Sequence, residues 1–279
     1  MPLWANITLA ALLLSSSYPS AYSHVQSAAT AWLSPQPAES DQTVQNVQTT
    51  STKPRTLGDL RKKYADTFKM SGPHSQTRQI ALTFDDVPDP RYTPYVLDVL
   101  KKHNIKATFF IVGSRARKHP DLVRRIVKEG HVVGNHSFNH PNFAKLNSSQ
   151  FSQQILRSER IIQGITGLRP KLIRPPYGEI TEPQLRWARS SRYKIVNWNV
   201  DSMDWKGLSP RQIRNNVVPH TGPGSIILMH AGGGTTTDLH GTIRVLPSMI
   251  SELEGKGYSF VTLPELLHVP ASLPLSKKQ

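Results

Sequence analysis

Between Pro73 and the C-terminus, short β-favouring apolar runs alternate with stretches of helical periodicity, and no other feature restricts the fold as strongly. The runs fall at residues 79–84, 107–112, 131–134, 172–174, 194–199, 225–229 and 258–262. Helical patterns occupy residues 93–103, 121–129, 148–165, 182–190 and 243–256, with another opened by Ser209-Pro210. Gly130 and Gly167 stand where a helix C-terminus needs a left-handed residue. Pro175-Pro176 stops the fourth run, and Pro210 fits a first helical turn. Strands joined through helices pair in parallel. The pattern therefore predicts an α/β fold with about seven parallel strands, either open or closed into a barrel.

Upstream the pattern changes. Pro2 to Leu14 is apolar and free of Lys and Arg, too short for the roughly 20 residues of a membrane span. Ala21-Tyr22-Ser23 offers a small-x-small cleavage site, so residues 1–23 are expected to be an export signal, although the basic residue usual at its start is missing. Residues 24–73 are expected to be a flexible linker, rich in Ser, Thr, Gln, Ala and Pro in its first part. Within it, Leu57, Leu60, Tyr64 and Phe68 recur at helical spacing and predict an amphipathic helix over residues 56–70. The α/β domain is expected over residues 74–268, with a tail at 269–279.

Composition removes several classes. There is no cysteine, so disulfide scaffolds, thiolate metal sites and cysteine nucleophiles are excluded. All 34 Lys and Arg lie after Thr52, where 17 of the 19 acids also lie, so the chain's formal charge of +15 arises from +17 on the C-terminal 227 residues. That charge suits a polyanionic partner. The basic residues are spread over several predicted helices and loops, however, and form no recognised nucleic-acid motif.

Polar clusters follow five of the seven runs: Asp85-Asp86, His136 with His140, Arg174-Pro175-Pro176-Tyr177-Gly178, Asp201 with Asp204-Trp205, and His230. In parallel α/β sheets and barrels, the C-terminal strand ends share one face, where active sites are built. His136 and His140, four apart, present both imidazoles on one side in a helix or turn, and a neighbouring carboxylate would complete a two-His, one-Asp metal site. The same set also suits a non-haem iron oxygenase, so it does not name the metal. Of the adjacent Asp85 and Asp86, one can ligate a metal while the other accepts a proton from water. An Asp turn or helix cap is the competing reading. His230, followed by Ala231-Gly232-Gly233-Gly234, suits a general acid, which a nearby Asp204 would keep protonated. Arg174 can orient Asp85, and Trp205 and Tyr177 offer flat walls for a sugar ring.

In this order, Thr83-Phe84-Asp85-Asp86, His136-Ser137-Phe138-Asn139-His140, Arg174-Pro175-Pro176-Tyr177-Gly178, Asp201-Ser202-Met203-Asp204-Trp205 and Leu228-Met229-His230 resemble the five motifs of the polysaccharide deacetylases. These are the NodB-homology enzymes of carbohydrate esterase family 4. The resemblance spans about residues 75–268 and implies a distorted (β/α) barrel. It also implies roles: Asp85 as catalytic base, Asp86, His136 and His140 as metal ligands, and Arg174 holding Asp85. The Tyr177 N–H would bind the oxyanion, and His230 would be the acid, tuned by Asp204. Trp205 and Leu228 would line the acetyl pocket.

The implied cofactor is a divalent metal, zinc first, with cobalt or another divalent ion as alternatives. The implied substrate is an N-acetylglucosamine polymer, peptidoglycan first. Chitin-type chains, a xylan ester and a non-catalytic glycan-binding module are the alternatives. The other expected partner is an anionic cell envelope; no nucleic acid and no obligate protein partner is expected. One departure is Val87-Pro88, where the family usually has Gly-Pro, which is expected to alter the loop above the groove and leave the metal site intact.

Overall fold

The structure is a computed structural model that describes residues 56–73 and 77–273. The export signal expected at residues 1–23, most of the expected linker and the end of the tail lie outside the described residues. Through the first half run α1 (Leu57–Lys63), β1 (Phe68–Lys69), β2 (Gln79–Val87), α2 (Thr93–Lys102), β3 (Thr108–Ile111), α3 (Gly113–Lys118), α4 (Pro120–Lys128) and β4 (Val132–Asn135). Then follow α5 (Ser148–Thr166), β5 (Arg169–Pro170), β6 (Leu172–Ile173), α6 (Glu182–Ser190), β7 (Lys194–Val196), β8 (Val200–Asp201), α7 (Pro210–Val217) and β9 (Ile226–His230). The chain closes with α8 (His240–Gly255), β10 (Ser259–Phe260), α9 (Leu263–Leu267) and β11 (Ser272–Leu273).

The main sheet runs in the order β1-β7-β6-β4-β3-β2-β9-β8, with β10 also on β2, and its pairings are parallel. Among the described residues β1 and β8 are not paired with each other, so the (β/α) barrel is distorted and its wall incomplete. Strand side chains alternate between faces. Along β2, Ile80, Leu82 and Phe84 face outward into a core shared with Val96, Leu97 and Leu100 of α2 and Leu246, Met249 and Ile250 of α8. Ala81 faces inward with Phe110, Leu172, Val196 and Ile226, and Leu263, Leu266 and Leu267 of α9 join them. α9 thus stoppers the N-terminal end of the barrel with leucines. The inner column of β2 continues past Ala81 to Thr83 and Asp85, so polarity rises toward the other end.

Local chemistry agrees with these elements. α1, α5, α6, α7 and α9 each open on a capping box, as at Asn147/Gln150 and Ser209/Gln212. Gly130 and Gly167 do take positive φ, 82° and 74°.

Several boundaries differ from the sequence reading. The helix expected over 56–70 stops at Lys63, and Phe68 lies instead in β1, paired with Ile195. Leu60, Tyr64 and Phe68 are nevertheless buried in one cluster, because a helical turn followed by a turn into a strand can deliver all three to the same core, while Leu57 stays exposed. Residues 56–73 therefore add an edge strand to the main sheet, and the fold starts before residue 74. It also passes residue 268, since β11 pairs antiparallel with β5. Two further differences bear on function. β2 extends to Val87 and β9 to His230, so Asp85, Asp86 and His230 sit within strand ends, with Asp85 opposite His230 in register.

Candidate active site

The site begins with one buried cation. Arg174, which follows β6, is wholly buried and lies across the barrel interior with its guanidinium 4.2 Å from the Phe110 ring centre. It donates to the carbonyls of Val196 (3.0 Å) and Asn197 (3.3 Å), to Thr83 Oγ1 (2.7 Å) and to Asp85 Oδ1 (2.8 Å). Thr83 passes its own proton to the Ile227 carbonyl at 2.6 Å, so this polar group is hydrogen-bonded throughout. Asp85 is 3% exposed, and burial pushes its carboxyl above the ordinary range against the pull of Arg174. A buried carboxylate with a raised pKa, held by one fixed partner, is suited to take up a proton.

Asp86 turns away from Asp85 because its backbone is left-handed, at φ 64°. Its Oδ1 lies 3.2 Å from His140 Nε2 and 3.8 Å from His136 Nε2. The two histidines come from a loop after β4, and the spacing is met by a turn in which Ser137 and His140 both have positive φ (69° and 63°). That turn is built by side chains: Asn135 accepts from Ser137 N, Ser137 Oγ accepts from His140 N, and Gln154 of α5 accepts from Phe138 N and Asn139 N. Phe138, between the histidines, packs under the Arg157 guanidinium at 3.6 Å.

His136 Nδ1 is 2.8 Å from the Arg174 carbonyl, which can only accept. Nδ1 therefore carries the proton, and Nε2 offers its lone pair toward the carboxylates. Burial, and secondarily His140, lower the His136 pKa to about 3, which keeps the ring neutral. Asp86, His136 and His140 bring their donor atoms within 4.8 Å of one another. Two nitrogens, one carboxylate and a carbonyl fixing a ligand tautomer make a donor set that fits zinc or another first-row divalent ion.

His230 faces them from β9. Its Nδ1 lies 2.7 Å from Asp204 Oδ1 and its backbone N–H donates to Asp204 Oδ2 at 2.9 Å, while Thr242 also donates to Oδ2. Burial alone would lower the His230 pKa; the buried Asp204 carboxylate outweighs it and raises the value to about 9. The imidazolium is therefore charged at neutral pH, with Nδ1 committed to Asp204 and Nε2 left for the cavity.

A cavity of about 460 Å³ joins these groups. Asp85, Asp86, His136 and His140 form one side and His230 and Leu228 the other, and Tyr177, Trp198, Asp201, Trp205 and Thr237 complete the wall. Tyr177 and Trp205 are 65% and 51% exposed, as aromatic rims are, whereas Leu228 is buried. Tyr177 has φ 60° in a tight turn whose next residue, Gly178, sits against Trp198. Every site residue expected from the sequence either borders this cavity or, as with Arg174 and Asp204, holds one that does. Trp198 and Thr237 were not among them, and Asp201 was named in its cluster without a role. Trp198 precedes the short β8 and donates from Nε1 to Asp201, the last residue of that strand, at 3.3 Å, so an aromatic residue beside the acidic motif was its one available signal. Thr237 has no motif and reaches the cavity only through its loop.

A parallel barrel with a buried carboxylate, a charged imidazolium and a metal-type donor set at its C-terminal strand ends fits a hydrolase. The comparisons agree: the family model described as polysaccharide deacetylase matches residues 73–196. A peptidoglycan-N-acetylglucosamine deacetylase of Bacillus cereus is 50% identical over 204 residues, covering 73% of this chain and 72% of its own. A chitooligosaccharide deacetylase of Bradyrhizobium is 34% identical, over 74% of this chain and 95% of its own. The crystal structure of the Bc1960 peptidoglycan N-acetylglucosamine deacetylase superposes with TM-score 0.75 and 46% identity, covering 78% of this chain and all of that one. The chain belongs to the polysaccharide deacetylase family.

Proposed function

We propose that this polysaccharide N-deacetylase is metal-dependent, exported, and acts on the N-acetylglucosamine residues of peptidoglycan. The observation that carries the reaction is the pairing across one cavity of Asp85, with its raised pKa, and His230, charged through Asp204. Asp86, His136 and His140 would hold the metal, which when bound supplies a Lewis acid and a water of lowered pKa. Asp85, aimed by Arg174, takes the proton of the water that attacks the acetamide carbonyl. The Tyr177 N–H donates to the oxyanion as it develops. His230 then gives its Nε2 proton to the sugar nitrogen as the C–N bond breaks, leaving acetate and a glucosamine amine. Leu228 and Trp205 suit the acetyl methyl, and Trp205 and Tyr177 suit the sugar face.

Peptidoglycan is favoured over chitin-type chains and xylan esters by the likeness to the B. cereus peptidoglycan-N-acetylglucosamine deacetylase and to Bc1960. Zinc is favoured by the mixed nitrogen and carboxylate donors, with cobalt as alternative. Export is favoured by the apolar stretch followed by Ala21-Tyr22-Ser23. Acetate release from peptidoglycan fragments and from N-acetylglucosamine oligomers, with zinc added or chelated, tests the reading. Turnover that chelation abolishes and zinc restores supports it. Glycan binding without acetate release would make this chain a non-catalytic module.

A further inference from the structure

Beside the cavity lies a group of charges that the reaction above does not use. Asp89, three residues beyond Asp86, is 3% exposed, yet its carboxylate receives two guanidinium groups. Arg91 donates to Oδ1 from Nε at 3.0 Å and to Oδ2 from Nη2 at 2.7 Å, and Arg115 Nη1 donates to Oδ2 at 3.1 Å. Both arginines then reach beyond Asp89 to the loop at residues 231–237. Arg91 donates to the carbonyls of Gly233 (3.1 Å), Gly234 (2.9 Å) and Thr235 (3.2 Å), and Arg115 to that of Gly233 (2.5 Å). Neighbouring hydroxyls extend the hold: Thr93 donates to the Ala231 carbonyl and Tyr92 to that of Thr237, each at 2.7 Å.

The loop so gripped is one that its own sequence leaves loose, since Gly232-Gly233-Gly234 has high backbone freedom. It also starts one residue after His230 and ends at Thr237 in the cavity wall. Ala231 N donates to the Asp85 carbonyl at 3.2 Å, and Gly232 lies so close that a Cβ there would stand 2.0 Å from the Asp86 carbonyl oxygen. The loop thus spans from the acid side of the cavity to the carboxylate side. Asp204 orients the His230 imidazole, and nothing in that pair fixes the chain beyond it.

We propose that Asp89, Arg91 and Arg115 form a positioning clamp that locks loop 231–237 against β2 and so sets His230 at the distance from Asp85 and Asp86 that protonation of the leaving amine requires. None of the three lines the cavity or belongs to the metal-type donor set. Its effect belongs to the step that needs an acid, and a displacement of about 1 Å is enough to cost about 10²-fold. The inference rests on the deacetylase reading.

The test compares two substrates in Arg91→Ala and Arg115→Ala. N-acetylglucosamine oligomers lose a poor leaving group that must be protonated, whereas 4-nitrophenyl acetate loses a stable phenolate that needs no acid. The clamp predicts that kcat on oligomers falls about 10²-fold with KM little changed, while aryl-ester turnover stays close to that of the wild type. Equal losses on both substrates, or unchanged kcat on oligomers, would overturn it. The Arg91 side chain is 40% exposed, so Arg91→Ala carries the test if Arg115→Ala does not fold, as judged by thermal melting. Failure of the deacetylase reading looks different: the wild type itself would release no acetate from any oligomer, and the clamp's catalytic role would fall with it.

Discussion

Arg174 is the buried cation that holds Asp85, at 2.8 Å. Its removal leaves Asp85 buried without its cation, and breaking a buried pair on one side costs about 3–5 kcal/mol. Arg174→Met is therefore expected to lower the urea midpoint by that much in free energy and to abolish acetate release. The His230–Asp204 pair gives a pH prediction whose sign is fixed. The folded His230 pKa, about 9, lies above its unfolded value near 6.5. The pair's stabilisation is whole below the unfolded value and is lost as pH rises through about 9. Turnover should decline over the same alkaline range, because the acid loses its proton. In Asp204→Asn that decline should move to lower pH by about 1–3 units; a pH–rate profile unmoved by the substitution would contradict the pairing. At this scale much was legible in the sequence. Asp85, Asp86, His136, His140, Arg174, Asp204 and His230 each follow or end a β run, and strand ends on one face converge. The part that Thr83, named in the first motif without a role, and Thr242 play in the polar network was not, because a threonine inside a strand or helix reads as an ordinary filler until its hydroxyl partner is known.

Elements set how those residues meet. The turn that presents His136 and His140 depends on Asn135 and on Gln154 of α5, so its geometry comes from a helix over ten residues downstream. The loop after β9 depends on Asp89, Arg91 and Arg115 in the same way. Gly232 and Gly234, two residues apart in that loop, separate contact from flexibility. A Cβ at Gly232 would collide with the Asp86 backbone, whereas at Gly234 its nearest neighbour is Thr237 Oγ1 at 3.6 Å. Gly232→Ala should cost about 1–3 kcal/mol by overpacking and sharply reduce turnover, and Gly234→Ala should do neither, as melting and acetate assays would report. Equal behaviour of the two would contradict the close packing of loop and β2. His131, entering β4, adds an acid-side effect. Its Nδ1 accepts from Ala107 N, and burial first, then Lys106, lowers its pKa to about 4. The unfolded chain binds this proton more readily, so stability should fall as pH drops from about 6.5 toward 4. Element boundaries were the less legible part. Leu60, Tyr64 and Phe68 have helical spacing yet span a helix, a turn and an edge strand, because what the spacing encodes is a shared core.

The whole molecule places apolar closure at one end of the barrel and chemistry at the other, with α9 below and the cavity above. The excess of Lys and Arg is confined to the part of the chain that includes the barrel, and an anionic cell envelope is the partner that such a charge and the proposed substrate have in common. Sedimentation with cell walls should weaken steadily as salt rises, since attraction between exposed charges is screened within about 10 Å at 0.1 M. Binding indifferent to salt would remove the charge from the account. The central claim is the reaction, and mass spectrometry of defined peptidoglycan fragments after incubation tests it most directly. The account predicts that N-acetylglucosamine residues lose the mass of one CH₂CO unit, acetyl being replaced by hydrogen, with the wild type and zinc, and lose none with Asp85→Asn or Asp86→Ala. Intact fragments with the wild type, or undiminished loss with either variant, would contradict it.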